Sequence, residues 1–195
     1  TSLLGTEPLP EDLNKIDPYL TLITSMFMHG GFMHLIGNML YMWIFADNIE
    51  DDLGKFKFIL FYLSSGIAAA LTQVYLNVNS TIPMVGASGA ISGVLGAYII
   101  RYPKTKVLVL FPFGFFSQIV KIPAIFVLGI WFILQFVSSG FSSGQGGVAY
   151  GAHIGGFVFG AAVMFFFGKI LIPQKAFFKA LNQKDDKKKN PWIQD

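Results

Sequence analysis

The chain has 195 residues, of which 53% are hydrophobic and only 13% are charged. Soluble globular domains carry about 25% charged residues, so this composition excludes an ordinary soluble domain and predicts one helical domain of an integral membrane protein. The sequence has no cysteine, which excludes a disulfide framework. Most of the net charge of +3 comes from a Lys-rich C-terminal segment, a placement that indicates membrane topology and not nucleic-acid binding.

Five apolar helices are predicted along the chain. Residues 1–23 are polar and contain several prolines, and we expect an outer loop there. A membrane domain follows over residues 24–172, and residues 173–195 are expected to form a Lys-rich cytoplasmic tail. The predicted helices cover residues 32–46, 56–76, 88–100, 123–137 and 148–172.

Two segments are predicted to break or flank these helices. The acidic residues within 47–52 are expected to close the first helix, with Gly54 breaking the chain after them. Residues 108–116 are apolar but are interrupted by Pro112 and Gly114. We therefore expect an interfacial or re-entrant piece there and not a membrane span.

The third predicted helix is too short to cross a bilayer. Residues 88–100 rise about 20 Å as a helix, whereas the hydrocarbon core is about 30 Å thick. If Arg101 lies at one membrane face, Ser88 begins its helix roughly 10 Å below the other face. Non-helical backbone at that depth is tolerated only inside protein or beside a water-filled cavity. The sequence thus predicts a serine at a helix N-terminus, in a wet pocket within the membrane.

The basic residues predict the orientation. Lys15 lies in the N-terminal loop, whereas the other 13 of the 14 Lys and Arg residues fall on the opposite side. The positive-inside rule places that side in the cytoplasm. We therefore expect a multi-pass protein of the plasma (inner) membrane, with a cytoplasmic C-terminus and with Ser88 opening outward.

Four polar side chains are predicted to share one layer just beneath the outer surface. His34 and Asn38 are four residues apart and therefore lie on one helix face. His153 lies roughly 8 Å into the last helix, at a depth similar to that of Ser88. Polar and ionisable groups within a membrane are candidates for function, so this shared depth predicts a site.

Ser88 and His153 would form an activated nucleophile if their helices approach closely. Gly156 and Gly160 form a small-xxx-small pair on the His153 helix, and such pairs allow close packing. No acidic residue occurs between positions 53 and 184, so a carboxylate behind the histidine is not available. The sequence therefore predicts a Ser–His dyad.

Donors for an oxyanion are also predicted near Ser88. Backbone N–H groups at a helix N-terminus suit a developing negative charge. The side chains of His34 and Asn38 can add further donors.

Each of these residues also has an ordinary structural interpretation. A lone intramembrane serine usually packs helices, and a membrane histidine often serves as a structural hydrogen-bonding group. The three histidines could hold a metal, but no His-Glu-x-x-His motif and no nearby acid accompany them. We therefore predict no metal and no cofactor. Residues 86–90 are not a G-x-S-x-G elbow, because position 90 is alanine and no strand precedes it.

Three separated motifs resemble those of the rhomboid intramembrane serine proteases. The motifs are His29-Gly30-Gly31-Phe32-x-His34-Leu35-x-Gly37-Asn38-Met39, Gly86-Ala87-Ser88-Gly89, and Ala152-His153-x-Gly155-Gly156 with Gly160. The resemblance implies that Ser88 is the nucleophile and His153 the base. It also implies an oxyanion site formed by His34, Asn38 and the backbone N–H groups of Ser88 and Gly86.

The chain departs from the family pattern at three points. The family core is a bundle of six helices and we predict five, so the first helix is expected to precede Thr1. Some members carry a tyrosine one turn after the serine, stacked on the catalytic histidine, and here that position is Ser92. The resemblance therefore does not say what orients His153. The Trp-Arg pair that some members carry in the first outer loop is not visible in residues 1–18.

The resemblance implies an all-α, polytopic, rhomboid-like membrane protein that cleaves transmembrane substrates near the outer face. Its expected partners are transmembrane protein substrates and the lipid bilayer, with no nucleic acid. One alternative is a catalytically inactive rhomboid-like protein that binds membrane clients, against which the intact set Ser88, His153, His34 and Asn38 argues. Another is a transporter or channel, which would favour an ionisable residue in the cytoplasmic half of a helix, and we find none.

Overall fold

The computed structural model describes residues 17–78, 80, 83–113, 116–141, 148–172 and 193–194. Six helices and three short strands lie within these residues. The helices are α1 (Pro18–Thr24), α2 (Phe32–Leu53), α3 (Lys55–Leu76), α4 (Ser88–Arg101), α5 (Ala124–Phe141) and α6 (Tyr150–Leu171). The strands are β1 (Lys106–Phe113), β2 (Phe116–Pro123) and β3 (Ile193–Gln194).

Two of these helices, α3 and α6, are long and apolar enough to cross a membrane. A third span results if the bent pair Tyr19–Phe27 and Phe32–Leu53, whose axes meet at 89°, is counted as one. The apolar part of α5, Ala124–Gly140, is shorter. The chain is thus a multi-pass helical membrane protein, and the predicted helix-bundle fold is confirmed.

Helix α4 is the centre of the bundle. Every residue from Gly89 to Tyr98 is buried, as expected for a helix that is apolar on all sides. Helices α2, α3, α5 and α6 all pack against it. Because α4 is short and enclosed, its N-terminus lies inside the protein and not at a loop on the surface.

Helices α4 and α6 are in direct backbone contact. A Cβ atom on Gly156 would collide with the carbonyl oxygen of Gly89, and one on Gly160 would collide with the carbonyl oxygen of Gly93. Glycine at these positions lets the two helix axes approach more closely than any side chain would allow. This approach brings the first turn of α6 against the first turn of α4.

The end of α2 differs from the prediction. The helix does not close near residue 46 but continues to Leu53, and Gly54, with φ of 79°, ends it. The acidic residues therefore lie within its last turns. Asp52 is buried, and its Oδ2 accepts a hydrogen bond from Nε of Arg101 at 2.7 Å. This ion pair explains why Asp52 can be buried, because a buried charge requires a partner.

Residues 108–113 and 116, within the segment expected to be an interfacial or re-entrant piece, form strands and not a membrane-spanning helix. Strand β1 pairs antiparallel with β2, from Lys106 opposite Pro123 to Phe113 opposite Phe116. The segment is rich in β-branched and aromatic residues, which favour strands. Pairing also satisfies backbone groups that an isolated loop would leave free. Strand β3 adds to β1 at Lys106 and Val107.

Two predicted regions fall largely outside the described residues. Of the outer loop expected at 1–23, only residues from 17 onward are described, and 18–24 form α1. Of the tail expected at 173–195, the described part is β3. Helix α5 extends beyond the predicted residue 137 to Phe141.

Candidate active site

Ser88 is the first residue of α4, and the turn before it is held in place by the rest of the chain. Gly86 has φ of 120°, a conformation that favours glycine. Its N–H donates to the carbonyl oxygen of Ser25 at 2.9 Å. The turn therefore places Ser88 at a helix N-terminus, where the first backbone N–H groups have no partner within the helix.

His153 lies in the first turn of α6. The N–H of the preceding residue, Ala152, lies within hydrogen-bond distance of two acceptors, the carbonyl oxygen of Ala149 at 3.0 Å and Oε1 of Gln73 on α3 at 3.1 Å. The His153 side chain is buried, with 9% of its surface exposed. Its orientation is thus set by neighbouring protein groups and not by solvent.

The two predicted residues meet. Nε2 of His153 lies 2.8 Å from Oγ of Ser88, within hydrogen-bond distance. Ser92, one turn further along α4, donates its hydroxyl to the carbonyl oxygen of Ser88 at 2.6 Å. Ser92 is therefore engaged within its own helix and does not orient the imidazole.

Gln135 and Trp131, both on α5, contact the imidazole. Oε1 of Gln135 lies 2.7 Å from Nδ1 of His153. The Trp131 ring lies beside the imidazole, with ring centroids 5.8 Å apart and an interplanar angle of 33°. Neither residue is among the site residues predicted from the sequence. The available signal was an amide side chain within an apolar membrane helix, since such polar groups are candidates for function.

Asn38 and His34 converge on the turn before Ser88. A Cβ atom on Gly86 would lie 2.7 Å from Nε2 of His34 and 3.6 Å from Nδ2 of Asn38. Asn38 is buried, and its Nδ2 has no hydrogen-bond partner among the described residues. Such a donor is uncommon inside a protein and suggests a group that pairs with a ligand.

The hydrogen bond made by Nδ1 of His34 determines which nitrogen of this ring carries the proton. Nδ1 of His34 accepts a hydrogen bond from the backbone N–H of Gly30 at 3.4 Å. A neutral imidazole carries one proton, so Nε2 holds it and can donate toward the Gly86 turn.

One predicted donor requires a correction. The backbone N–H of Gly86 was expected at the oxyanion site, but it is used by the carbonyl of Ser25. The contribution of Gly86 is its lack of a side chain, because any Cβ would press on His34.

A single cavity of about 580 Å³ connects these groups. Its walls include all of the predicted polar residues, namely His34, Asn38, Ser88 and His153. His29 contacts the His34 ring edge-on at a centroid distance of 5.3 Å. In the part of the chain that is described, no group of three His or acidic side chains is arranged to hold a metal ion.

The fold and the cavity define a class of protein: a multi-pass helical membrane protein with a serine and a histidine in contact at two helix N-termini. Comparison with known proteins identifies the family. The family described as Rhomboid domain matches residues 17–170. The chain belongs to the rhomboid family.

Several curated proteins are similar to the chain. Rhomboid protein 1, mitochondrial, of Saccharomyces cerevisiae is 31% identical over 80% of this chain and 44% of its own length. Presenilin-associated rhomboid-like protein A, mitochondrial, of Danio rerio is 31% identical over 72% of this chain and 36% of its own length. Rhomboid protease AarA of Providencia stuartii is 31% identical over 77% of this chain and 56% of its own length. The chain thus corresponds to part of each of these relatives.

Proposed function

We propose that the protein is an intramembrane serine endopeptidase in which Ser88 is the nucleophile and His153 the general base. The observation that carries this proposal is the 2.8 Å contact between Oγ of Ser88 and Nε2 of His153. A hydroxyl within hydrogen-bond reach of an imidazole, itself oriented by a third group, is the usual arrangement of an activated nucleophile. The name of one relative, Rhomboid protease AarA, describes a protease.

The reaction follows from the positions of these groups. Nε2 of His153 takes the hydroxyl proton as Oγ of Ser88 attacks the scissile carbonyl carbon, forming a tetrahedral oxyanion. The imidazolium then protonates the leaving amine, the C–N bond breaks and an acyl-enzyme remains. Water, deprotonated by the same imidazole, hydrolyses the ester and returns Ser88 to its free form.

The oxyanion is proposed to bind at the turn that precedes Ser88. Its donors are Nδ2 of Asn38, Nε2–H of His34 and the backbone N–H of Ser88. Asn38 supports this assignment most directly, because its buried Nδ2 has no partner among the described residues. Donors placed before the charge develops stabilise a transition state more than a ground state.

The substrates are proposed to be transmembrane proteins cut just inside the outer membrane face. The site lies at the N-terminus of the short helix α4, whereas the ion pair of Asp52 and Arg101 lies at the opposite end of that helix. The basic residues flank that opposite end, so the positive-inside rule orients the cavity outward, with the C-terminus inside.

The orientation of the protein does not determine which cellular membrane contains it. We expected the plasma membrane, and this expectation finds no support in the relatives, because two of them carry the word mitochondrial in their names. The fold itself indicates an integral multi-pass membrane protein, without specifying the membrane.

An inactive client-binding protein is the alternative function. Such a protein would have no need for a histidine oriented against a serine or for a free donor beside them. The decisive experiment is labelling of the detergent-solubilised protein with a fluorescent fluorophosphonate. We expect labelling of the wild type and of Ser64→Ala, a control serine on α3 that bonds within its own helix. Ser88→Ala should remain unlabelled. Absence of label on folded wild type would support the inactive alternative.

A further inference from the structure

Helix α5 supplies two groups that contact the His153 ring. Oε1 of Gln135 lies at hydrogen-bond distance from Nδ1, and the Trp131 ring lies beside the imidazole at a tilt of 33°. The two residues are four positions apart and therefore share one face of α5. Other residues of α5, including Ile130 and Leu134, are more than half exposed. The inward face of α5 is thus directed at the imidazole.

We propose that Gln135 is a positioning residue that fixes the tautomer of His153, an inference that rests on the proposed function. A neutral imidazole donates through one nitrogen and accepts through the other. The Oε1 atom of Gln135 can only accept, so Nδ1 of His153 carries the proton. Nε2 then presents its lone pair to the Ser88 hydroxyl.

The opposite tautomer would not support the reaction. With the proton on Nε2, His153 would donate to Oγ of Ser88 and could not remove the hydroxyl proton. A protein that uses this pair as nucleophile and base must therefore control which nitrogen is protonated. Gln135 performs this control, and Trp131 limits rotation of the ring.

An amide suits this position better than a carboxylate in this chain. Ionised groups within the membrane are costly, and no acidic residue occurs between positions 53 and 184. A neutral amide oxygen sets the same tautomer without placing a charge in the bundle. Its dipole also stabilises the imidazolium that forms when His153 takes the proton, because hydrogen bonds to charged groups are stronger than those to neutral ones.

The tautomer is measured directly by ¹⁵N NMR of histidine-labelled protein in lipid bilayers. The chain has three histidines, and the His153 signals are assigned by their loss in His153→Ala. We expect the wild type to show a protonated Nδ1 and an unprotonated Nε2. A wild-type spectrum with the proton on Nε2 would mean that the Gln135 amide donates, and the proposal would be wrong.

Kinetics of three variants separate positioning from packing. Gln135→Met keeps the length of the side chain but removes the acceptor, and kcat should fall about 10- to 100-fold with KM unchanged, as expected for a lost hydrogen bond to a group that becomes charged. Gln135→Glu retains an acceptor oxygen in either protonation state and should recover most of that loss. The control is Leu134→Met, the same replacement on the exposed face of α5, which should behave as wild type.

Two results would overturn the assignment. One is a Gln135→Met protein with an unchanged His153 tautomer and unchanged kcat. The other is an equal loss in Gln135→Met and Gln135→Glu, which would indicate packing alone. Should Gln135→Met fail to fold, the wild-type and Gln135→Glu spectra still decide the tautomer. Failure of the proposed function has a different signature, since a non-nucleophilic Ser88 would leave the wild type unlabelled by fluorophosphonate whatever the tautomer.

Discussion

Oγ of Ser88 lies 2.8 Å from Nε2 of His153, although 65 positions of the chain separate the two residues. The contact depends on backbone packing between α4 and α6, where Gly156 faces the carbonyl oxygen of Gly89 one residue beyond Ser88. A hydrogen bond loses most of its value over a few tenths of an ångström beyond its normal range. The geometry of the site is therefore sensitive to the spacing of these two helices.

Gly156→Ala should reduce both stability and activity, because its Cβ would overlap the carbonyl of Gly89. Overpacking of this kind typically costs about 1–3 kcal/mol, measured as the free energy of unfolding in mixed detergent. The matched control is Gly129→Ala on α5, where a Cβ would meet no atom within 4 Å. A Gly156→Ala protein as stable and as active as Gly129→Ala would show that the helices do not touch there.

Asn38→Ala should lower kcat by about 10²- to 10³-fold while leaving KM nearly unchanged, the effect of removing one oxyanion donor. Its stability should hardly change, since Nδ2 of Asn38 makes no hydrogen bond among the described residues that folding would lose. The check is steady-state cleavage of a model substrate, together with thermal unfolding. A variant that is destabilised but turns over normally would assign Asn38 a structural role.

His153→Ala should abolish both peptide-bond cleavage and fluorophosphonate labelling. General base catalysis contributes about 10²- to 10⁴-fold to rates, and Oγ of Ser88 has this imidazole as its hydrogen-bond neighbour. Retention of label at the wild-type rate would mean that another group deprotonates Ser88. The Ser64→Ala protein, which keeps the site intact, serves as the positive control for labelling.

Arg101→Met should destabilise the protein without changing the chemistry at Ser88. The substitution leaves Asp52, whose side chain is 5% exposed, without its charged partner. Breaking a fully buried pair costs about 3–5 kcal/mol, and partial exposure of Arg101 should lower this to about 1–3 kcal/mol. Lys104→Met removes a nearby exposed charge and should stay within about 0.5 kcal/mol of wild type. Equal stabilities of the two variants would contradict a structural role for the pair.

Substrates should be cut in the outer part of a transmembrane segment that contains glycine or proline. A helical segment keeps its carbonyl groups hydrogen-bonded within itself, so it must unwind before one can reach Ser88. The walls near Ser88 include Gly89 and Ala90, which leaves room for a small residue at the cut. Mass spectrometry of a glycine-containing model substrate should place the cut just inside the outer face. A cut in the cytoplasmic half, or an undiminished rate after glycine is replaced by leucine, would be inconsistent with this prediction.

The membrane class could be predicted from the sequence alone, and the depth of Ser88 below the outer face stays a prediction. Hydrophobic length is a local property, and the shortness of the segment from Ser88 to Arg101 follows from counting residues against bilayer thickness. The four polar residues could likewise be placed in one layer, since depth along a helix needs only its rise per residue. Whether side chains at equal depth touch depends on how each helix is rotated about its axis, and spacing along the chain carries no such information.

Only the tertiary structure shows which side chain contacts Nδ1 of His153. Gln135 reaches the imidazole only because α5 turns that face toward α6, a rotation that an almost uniformly apolar helix does not encode in its periodicity. The structure also showed that the N–H of Gly86 is used by Ser25, and that Asp52 enters the bundle to meet Arg101. Each of these contacts joins residues far apart in sequence, so packing of the whole bundle determines them, and no single segment does.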